Sequence, residues 1–259
     1  MKSRLVRLVI LSASLTACSA IAQTPPVISE DFESTAVGAI PNGFTKTGAI
    51  GVVEDVAHSG KKSLRIEPAV RGPRTITKSG PEITALGGAH WGRLYFKVML
   101  PSPMPVPQEG KKAATIHATL VSGKATSPLA NDAIEVRPLG VQLFTNGLFK
   151  YLYNVQPKSR PEFAISGKVK FKFSDEWTLA EWYVDSATQT YKLFINGEPQ
   201  PEVELSNGAG KFEKSEIPTV FESLTFGWYN YQPASDPGFT IWIDDIAVGK
   251  NRIGDRSAP

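Results

Sequence analysis

Two segments of the chain carry side chains that could move protons on a bound substrate. FESLTFGWYNYQ covers residues 221–232, and ATIHATLV covers residues 114–121. Both alternate with a period of two, as strands with one buried face do. The alternation places Tyr229 and Tyr231 on one face of the first strand, and His117 on the polar face of the second. Histidine and tyrosine can act as general acids and bases, so the two segments form a candidate active site if they share a sheet.

The rest of the sequence predicts almost only strands, separated by turn signals. Asn-Gly pairs begin at Asn146, Asn196 and Asn207. Such pairs are typical of tight hairpin turns. No long segment shows the period of about 3.6 residues that marks an amphipathic helix. Many strands joined by short turns predict a β-sandwich or jelly roll.

Other predicted strands add polar and aromatic side chains to an open sheet face. If the outward faces of these strands coincide, one sheet carries Arg93, Tyr95, Lys97, His117, Arg137, Gln142, Tyr153, Tyr229 and Tyr231. Arginine binds a carboxylate through two parallel hydrogen bonds, and aromatic rings can stack on sugar rings. This combination suits an acidic polysaccharide.

The residue pattern argues against several kinds of hydrolase. A glycosidase would need two carboxylates across the bond, and no pair spaced two apart lies on an open strand face in the middle of the chain. The adjacent Asp244 and Asp245 are expected to point to opposite faces, and Glu181 and Asp185 share a face but lie in a hairpin typical of scaffold. There is no G-x-S-x-G motif, and three scattered histidines do not favour a metal hydrolase. β-Elimination of a uronate fits better, since it needs a neutraliser for the carboxylate, a base and an acid.

Three short motifs resemble those of a known family. Thr115-Ile116-His117 is similar to the Q-[IV]-H motif of alginate lyases, with threonine in place of glutamine. GWYNYQ at residues 227–232 is similar to their G-x-Y-N-Q segment, with one residue inserted. WIDDI at 242–246 and RIG at 252–254 resemble the C-terminal strand of glucuronan lyases. The chain therefore resembles β-jelly-roll polysaccharide lyases of the glucuronan-lyase and alginate-lyase types.

The resemblance implies an all-β fold, a concanavalin A-like jelly roll of two antiparallel sheets with a concave substrate groove. It also implies that the protein cleaves a uronate-containing polysaccharide by β-elimination. The implied catalytic residues are His117, Tyr229, Tyr231 and Arg93. The substrate-binding residues would be Gln142, Lys97, Arg137, Tyr153 and Tyr95. Two questions stay open, namely which tyrosine is catalytic and whether Gln142 replaces the missing glutamine of the first motif.

The same family often holds a structural Ca²⁺ near the chain termini. The matching positions here are Glu30, Ser59 and Asp244. Oxygen ligands of this kind suit Ca²⁺. We therefore expect a structural Ca²⁺ site and no organic cofactor.

A second hypothesis gives the same sandwich a different function. The aromatic and polar side chains would bind sugar without chemistry, and the protein would be a non-catalytic carbohydrate-binding or surface protein. Convergence of His117, a tyrosine hydroxyl and Arg93 in one groove would favour the enzyme. Dispersal of these groups over separate faces would favour binding.

The N-terminus predicts export. Lys2, Arg4 and Arg7 precede an apolar segment at residues 8–17, as in a signal peptide. We expect residues 1–22 to be the signal and residues 23–259 to form one β-jelly-roll domain.

Two cleavage sites in the signal remain open. LTAC at residues 15–18 resembles a lipobox, which would place a lipid anchor on Cys18, and AIA at 20–22 resembles an ordinary signal peptidase site. The mature protein would then be periplasmic, an outer-membrane lipoprotein or secreted.

Composition limits the remaining partners. The chain has 28 basic and 25 acidic residues, and three of the basic residues lie in the signal, so the remainder is balanced. This balance gives no reason to expect a nucleic-acid partner. No apolar window is long enough for a membrane span, and a single cysteine leaves no disulfide within the chain. We expect a monomer.

Overall fold

The computed structural model describes residues 25–110, 114–126, 133–158, 161–206 and 217–254. The predicted signal at residues 1–22, including Cys18, lies outside these ranges. The described residues form sixteen strands, a four-residue α-helix at Pro81–Thr84 and a 3₁₀ turn at Pro201–Val203. None of their helices has the length and apolar character needed to cross a membrane.

The strands form two eight-stranded antiparallel sheets, which we call the front and back sheets. The front sheet has the order β10-β9-β8-β7-β15-β5-β2, and β11 also pairs with β9. Its strands are β2 (Phe44–Thr47), β5 (Gly72–Ser79), β7 (Thr115–Thr126), β8 (Ala133–Phe144), β9 (Leu148–Pro157), β10 (Phe163–Ser166), β11 (Phe171–Lys172) and β15 (Phe221–Asn230).

The back sheet has the order β14-β13-β12-β6-β16-β4-β3, and β1 also pairs with β16. Its strands are β1 (Ile28–Glu30), β3 (Ile50–Val53), β4 (Ser63–Ile66), β6 (Ala89–Val98), β12 (Thr178–Asp185), β13 (Thr190–Ile195), β14 (Glu198–Pro199) and β16 (Ile241–Gly249). Both sheets are antiparallel throughout the pairs described, which confirms the predicted all-β sandwich.

The core lies between the two sheets and follows the alternation of the strands. Leu224, Phe226 and Trp228 of β15 are buried in this core, as are Ile116 and Ala118 of β7. Because successive strand residues point to opposite faces, their neighbours on β7 and β15 lie on the outward face of the front sheet. The predicted buried faces of these two strands are therefore correct.

A β-bulge in β15 adjusts the pairing near its end. Its pairing with β7 shifts between Phe226 and Tyr229, and Tyr229 lies opposite Thr119. Gly227, within the bulge, has a φ of 144°, and a Cβ there would lie 2.3 Å from the carbonyl oxygen of Arg74. Only glycine fits this conformation and this close approach.

A buried arginine anchors the same end of β15. Arg74 is only 3% exposed, and its Nη2 donates to Oδ1 of Asn230 at 2.7 Å. Burial lowers the pKa of Arg74 to about 10, so the guanidinium stays charged at neutral pH. Its Nη1 donates to three backbone carbonyls, those of Glu67, Ala69 and Phe239. The cation thus ties two loops to the residue that precedes Tyr231.

Replacing this anchor should destabilise the protein. Arg74→Met leaves Oδ1 of Asn230 and three backbone carbonyls, one of them fully buried, without their donor, so we expect the free energy of unfolding to fall by about 2–4 kcal/mol. Urea denaturation measures the change. Arg71→Met is the control, because Arg71 is exposed and three residues away. Equal losses for both variants would contradict the assigned role of Arg74.

Candidate functional site

A cavity of about 360 Å³ lies on the outward face of the front sheet. Its volume falls in the range of roughly 300–1,000 Å³ that is usual for small-molecule sites. The polar side chains that line it include His117, Arg137, Gln142, Asn154, Glu162 and Tyr231. These residues come from β7, β8, β9 and the two segments that follow β9 and β15, so neighbouring strands bring them together.

Backbone pairing beyond the end of β15 sets His117 and Tyr231 side by side. The N–H of Tyr231 donates to the carbonyl of His117 at 2.9 Å. The N–H of His117 donates to Oε1 of Gln232 at 2.6 Å. Tyr231 lines both the main cavity and a neighbouring cavity of about 60 Å³, whereas Tyr229 lines the smaller cavity and not the main one; the two ring centroids are 4.1 Å apart. The geometry therefore distinguishes two tyrosines that sequence alternation could not separate.

Arg137 is held by hydrogen bonds against the ring of Tyr231. Its Nε and Nη2 donate to the two carboxylate oxygens of Glu135, at 3.0 and 3.2 Å. Further bonds run to Oδ1 of Asn154 at 3.3 Å and Oε1 of Gln156 at 2.8 Å. The guanidinium carbon lies 4.3 Å from the centre of the Tyr231 ring, a cation–π contact.

Glu162 brings a carboxylate to the same cavity. It accepts hydrogen bonds from the side-chain amides of Asn154 and Gln156, the second at 3.3 Å. These two amides thus bridge Glu162 and Arg137. The network fixes the orientation of each amide, because its oxygen faces the guanidinium and its nitrogen faces the carboxylate.

The cavity keeps its histidine and its tyrosine uncharged near neutral pH. Burial lowers the pKa of His117, and the nearby Glu162 carboxylate and a bond to Gln232 oppose that shift only in part. Burial raises the pKa of Tyr231 to about 12, against the opposing effect of Arg137. His117 is therefore in a form that accepts a proton, and Tyr231 is in a form that donates one.

Comparison with solved structures identifies the fold. The chain is similar to the cellulose induced protein Cip1, with 18% identity, a TM-score of 0.55, and coverage of 88% of this chain and 99% of Cip1. It is also similar to the binding domain of Paraclostridial Mosquitocidal Protein 1, with 11% identity and a TM-score of 0.53. The receptor binding domain of botulinum neurotoxin mosaic serotype C/D gives 12% identity and a TM-score of 0.51. The chain has a concanavalin A-like fold.

These likenesses differ in extent. The matches to the Paraclostridial and botulinum binding domains each cover 89% of this chain. This chain spans only 50% of the first of those chains and 48% of the second. No family model matches the chain, and no curated protein sequence does either. The concanavalin A-like fold is therefore shown, and the resemblance to polysaccharide lyases stays a prediction.

Three of the predicted site residues lie on the wrong sheet for the predicted groove. Arg93, Tyr95 and Lys97 belong to β6 of the back sheet, on the opposite side of the concanavalin A-like sandwich from His117. Arg93 donates to the carbonyl of Gly254 at 2.7 Å, and Lys97 forms an ion pair with Asp175 at 2.9 Å. Their outward face was predicted correctly, but alternation along one strand does not say which sheet the strand joins.

Tyr153 was also misplaced. It is fully buried in the core, where its ring stacks on Tyr191 at 4.2 Å. The outward residues of β9 near the cavity are instead Asn154 and Gln156, which sequence reasoning missed. Two amides spaced two apart beside apolar residues are a signal that could have identified this outward face.

Three further cavity residues were also missed. Thr119 is two residues from His117 on the polar face of β7, and Gln232 directly follows Tyr231, so both could have been found by extending the two opening motifs. Glu162 lies outside any strand, and no spacing rule marked it. Its contacts follow from the pairing of β10 with β9, in which Phe163 lies opposite Val155.

The predicted Ca²⁺ ligands Glu30, Ser59 and Asp244 have hydrogen-bond partners within the protein. The Glu30 carboxylate accepts a backbone N–H two residues along the chain, at 2.9 Å. The Asp244 carboxylate is occupied by the backbone N–H groups of His58 and Ser59, at 2.8 and 3.2 Å, and the Ser59 hydroxyl donates to Asp245 instead. No cluster of three or more acidic, histidine or cysteine side chains suited to a metal occurs among the described residues. The structural Ca²⁺ site therefore stays a prediction.

The acid–base state of His117 can be measured directly. We expect its titration midpoint, followed by NMR of the imidazole carbons, to lie below the ordinary value of 6.5 because burial disfavours the charged ring. Glu162→Gln should lower the midpoint further, since it removes a nearby negative charge. A midpoint at or above 6.5 in the wild-type protein would contradict the assigned environment.

Proposed function

We propose that the front-sheet cavity binds a segment of a polysaccharide chain. The observation that carries this proposal is the meeting of an aromatic ring, a guanidinium, several amides and a neutral imidazole in one open cavity of about 360 Å³. A sugar ring has apolar faces and hydroxyl edges, so it needs both kinds of contact. The ring of Tyr231 can supply the first, and Gln142, Asn154 and Glu162 can supply hydrogen bonds.

The fold is compatible with binding alone. By name, two of the similar structures are the receptor binding domain of a botulinum neurotoxin and the binding domain of a mosquitocidal protein. In the present chain, the outward face of the front sheet brings polar groups and the half-buried ring of Tyr231 together around a cavity. These observations support binding without requiring any chemistry.

Removal of the tyrosine ring tests the binding proposal. Tyr231→Ala should weaken the affinity for a bound oligosaccharide about tenfold, which corresponds to ~1.4 kcal/mol. Isothermal titration calorimetry with hexasaccharides of glucuronan, alginate, cellulose, xylan and mannan measures the loss. Tyr183→Ala is the matched control, because Tyr183 lies on a strand of the back sheet. The proposal fails if none of the oligosaccharides binds, or if both variants bind as the wild type does.

A second candidate function is β-elimination of a uronate in the same cavity. The specific observation in its favour is that a neutral histidine, a protonated tyrosine and an arginine line one site. His117 would take the proton from C5 of the uronate, and the electron pair would form the C4–C5 double bond as the C4–O bond breaks. Tyr231 would protonate the leaving oxygen, and Arg137 with Gln142 would hold the carboxylate.

Loss of the base should separate catalysis from binding. The wild type should release products with ultraviolet absorbance from glucuronan or alginate, and His117→Ala should lower that rate by about 100-fold or more. Thr115→Ala, on the same face of β7 but outside the cavity, should leave the rate unchanged. Absence of product from folded wild-type protein would reject the second candidate and leave the binding proposal intact.

A further inference from the structure

A second cavity, of about 340 Å³, lies on the outward face of the back sheet. His58, Tyr95, Trp177, Glu181, Asn196 and Arg252 line it. All of these residues belong to back-sheet strands or to segments next to them, so the cavity is separated from the front-sheet site by the core. The function proposed for the front-sheet cavity does not involve the residues of this second cavity.

The imidazole of His58 is fixed in the wall of this cavity. Its Nδ1 lies 2.7 Å from Oδ2 of Asp245, whose side chain is fully buried. Its ring stacks on Tyr95 with centroids 3.5 Å apart and an interplanar angle of 17°. Since the carboxylate takes Nδ1, Nε2 is the nitrogen through which the ring can bond a ligand.

The opposite wall presents a compensated ion pair. Both carboxylate oxygens of Glu181 accept hydrogen bonds from Arg252, at 3.1 and 2.8 Å. The Glu181 side chain is only 3% exposed and that of Arg252 is 42% exposed, so a buried carboxylate positions a partly exposed guanidinium. The guanidinium also lies over the rings of Phe194 and Trp91, at 4.1 and 5.3 Å. Its charge is thereby satisfied within the protein and does not attract an anionic ligand strongly.

Aromatic and amide groups complete the wall. The half-buried ring of Trp177 meets His58 edge to face at 5.9 Å. Asn196 accepts a backbone N–H from Leu179 through Oδ1 at 2.8 Å, which leaves its amide nitrogen as a donor. The cavity thus offers a ring surface, a donor and an imidazole nitrogen, next to the compensated ion pair of Glu181 and Arg252.

We propose that this cavity is a second carbohydrate-binding site, which takes an uncharged pyranose unit. The sugar face would lie on Trp177, and its hydroxyls would bond Nε2 of His58 and the amide nitrogen of Asn196. Charge compensation favours a neutral sugar over a uronate or a sulfated unit. With sites on both outward faces, one molecule could contact two glycan chains, or two stretches of one chain, and gain avidity.

The decisive experiment is performed in a background without the front-sheet ring. Cellohexaose, xylohexaose and mannohexaose are titrated calorimetrically into Tyr231→Ala protein, with and without Trp177→Ala. We expect at least one hexasaccharide to bind Tyr231→Ala protein, and the added Trp177→Ala to weaken that binding about tenfold or more, as for loss of a main contact residue. Trp177→Phe should retain most of the affinity, because it keeps a ring.

The matched control is Tyr183→Ala, which removes an outward ring of the same sheet that does not line the cavity. It should leave the affinity unchanged. Absence of binding to the Tyr231→Ala protein, or equal affinity with and without Trp177, would overturn the proposal. Binding that depends on Trp177 and not on Tyr231 would support this site and reject the front-sheet function, so the two proposals fail separately. Far-ultraviolet circular dichroism verifies that each variant is folded.

Discussion

The candidate site depends on the buried hydrogen bond between Arg74 and Asn230. Asn230 is fully buried, and its side chain is held from one side by the guanidinium at 2.7 Å and from the other by the carbonyl of Val70, also at 2.7 Å. A strand residue that points inward forces both of its neighbours outward. The anchor at Asn230 therefore directs Tyr229 and Tyr231 to the open face. Together with the backbone bond from Tyr231 to the carbonyl of His117, this anchor fixes the chain beyond the Gly227 bulge.

Burial then decides what the outward groups can do. The same loss of water lowers the pKa of the histidine and raises that of the tyrosine, because the charged form of each is the one disfavoured. Both groups thus stay neutral in a site whose one guanidinium is already paired with Glu135. Such a site holds a proton acceptor and a proton donor together without a net charge on either. Binding of sugar hydroxyls and acid–base chemistry both need this state, which explains why one geometry supports two candidate functions.

Much of this arrangement could be predicted from the sequence, and the part that could not has a definite physical cause. Alternation along β7 and β15 gave the correct outward faces for His117 and Tyr231, since period two is a property of each strand alone. The sheet that a strand joins depends on its pairing with strands far away in the sequence, which alternation does not reveal. The prediction therefore placed Arg93 on the same sheet as His117, although it lies on the other one. Tyr153 was misplaced for another reason. A tyrosine can fill a core or an open face, and only its stacking on Tyr191 resolves which.

The outward residues of β6, which were expected on the front sheet, give the outward face of the back sheet features that stability alone does not explain. A two-sheet sandwich is stabilised by its inner faces, so its outward faces need only polar residues. The outward face of the back sheet instead carries Tyr95, Trp91 and Tyr183, with Trp91 and Tyr183 rings 4.8 Å apart. Tyr95 is covered by His58, which the buried Asp244 and Asp245 hold through its backbone and its ring. The two aspartates were expected on opposite faces, but an irregularity in β16 that begins at Asp244 brings both to His58. Stability alone does not require buried carboxylates to fix an imidazole at the wall of a cavity, because burying charge is costly. A ligand that uses this imidazole supplies the reason that packing does not.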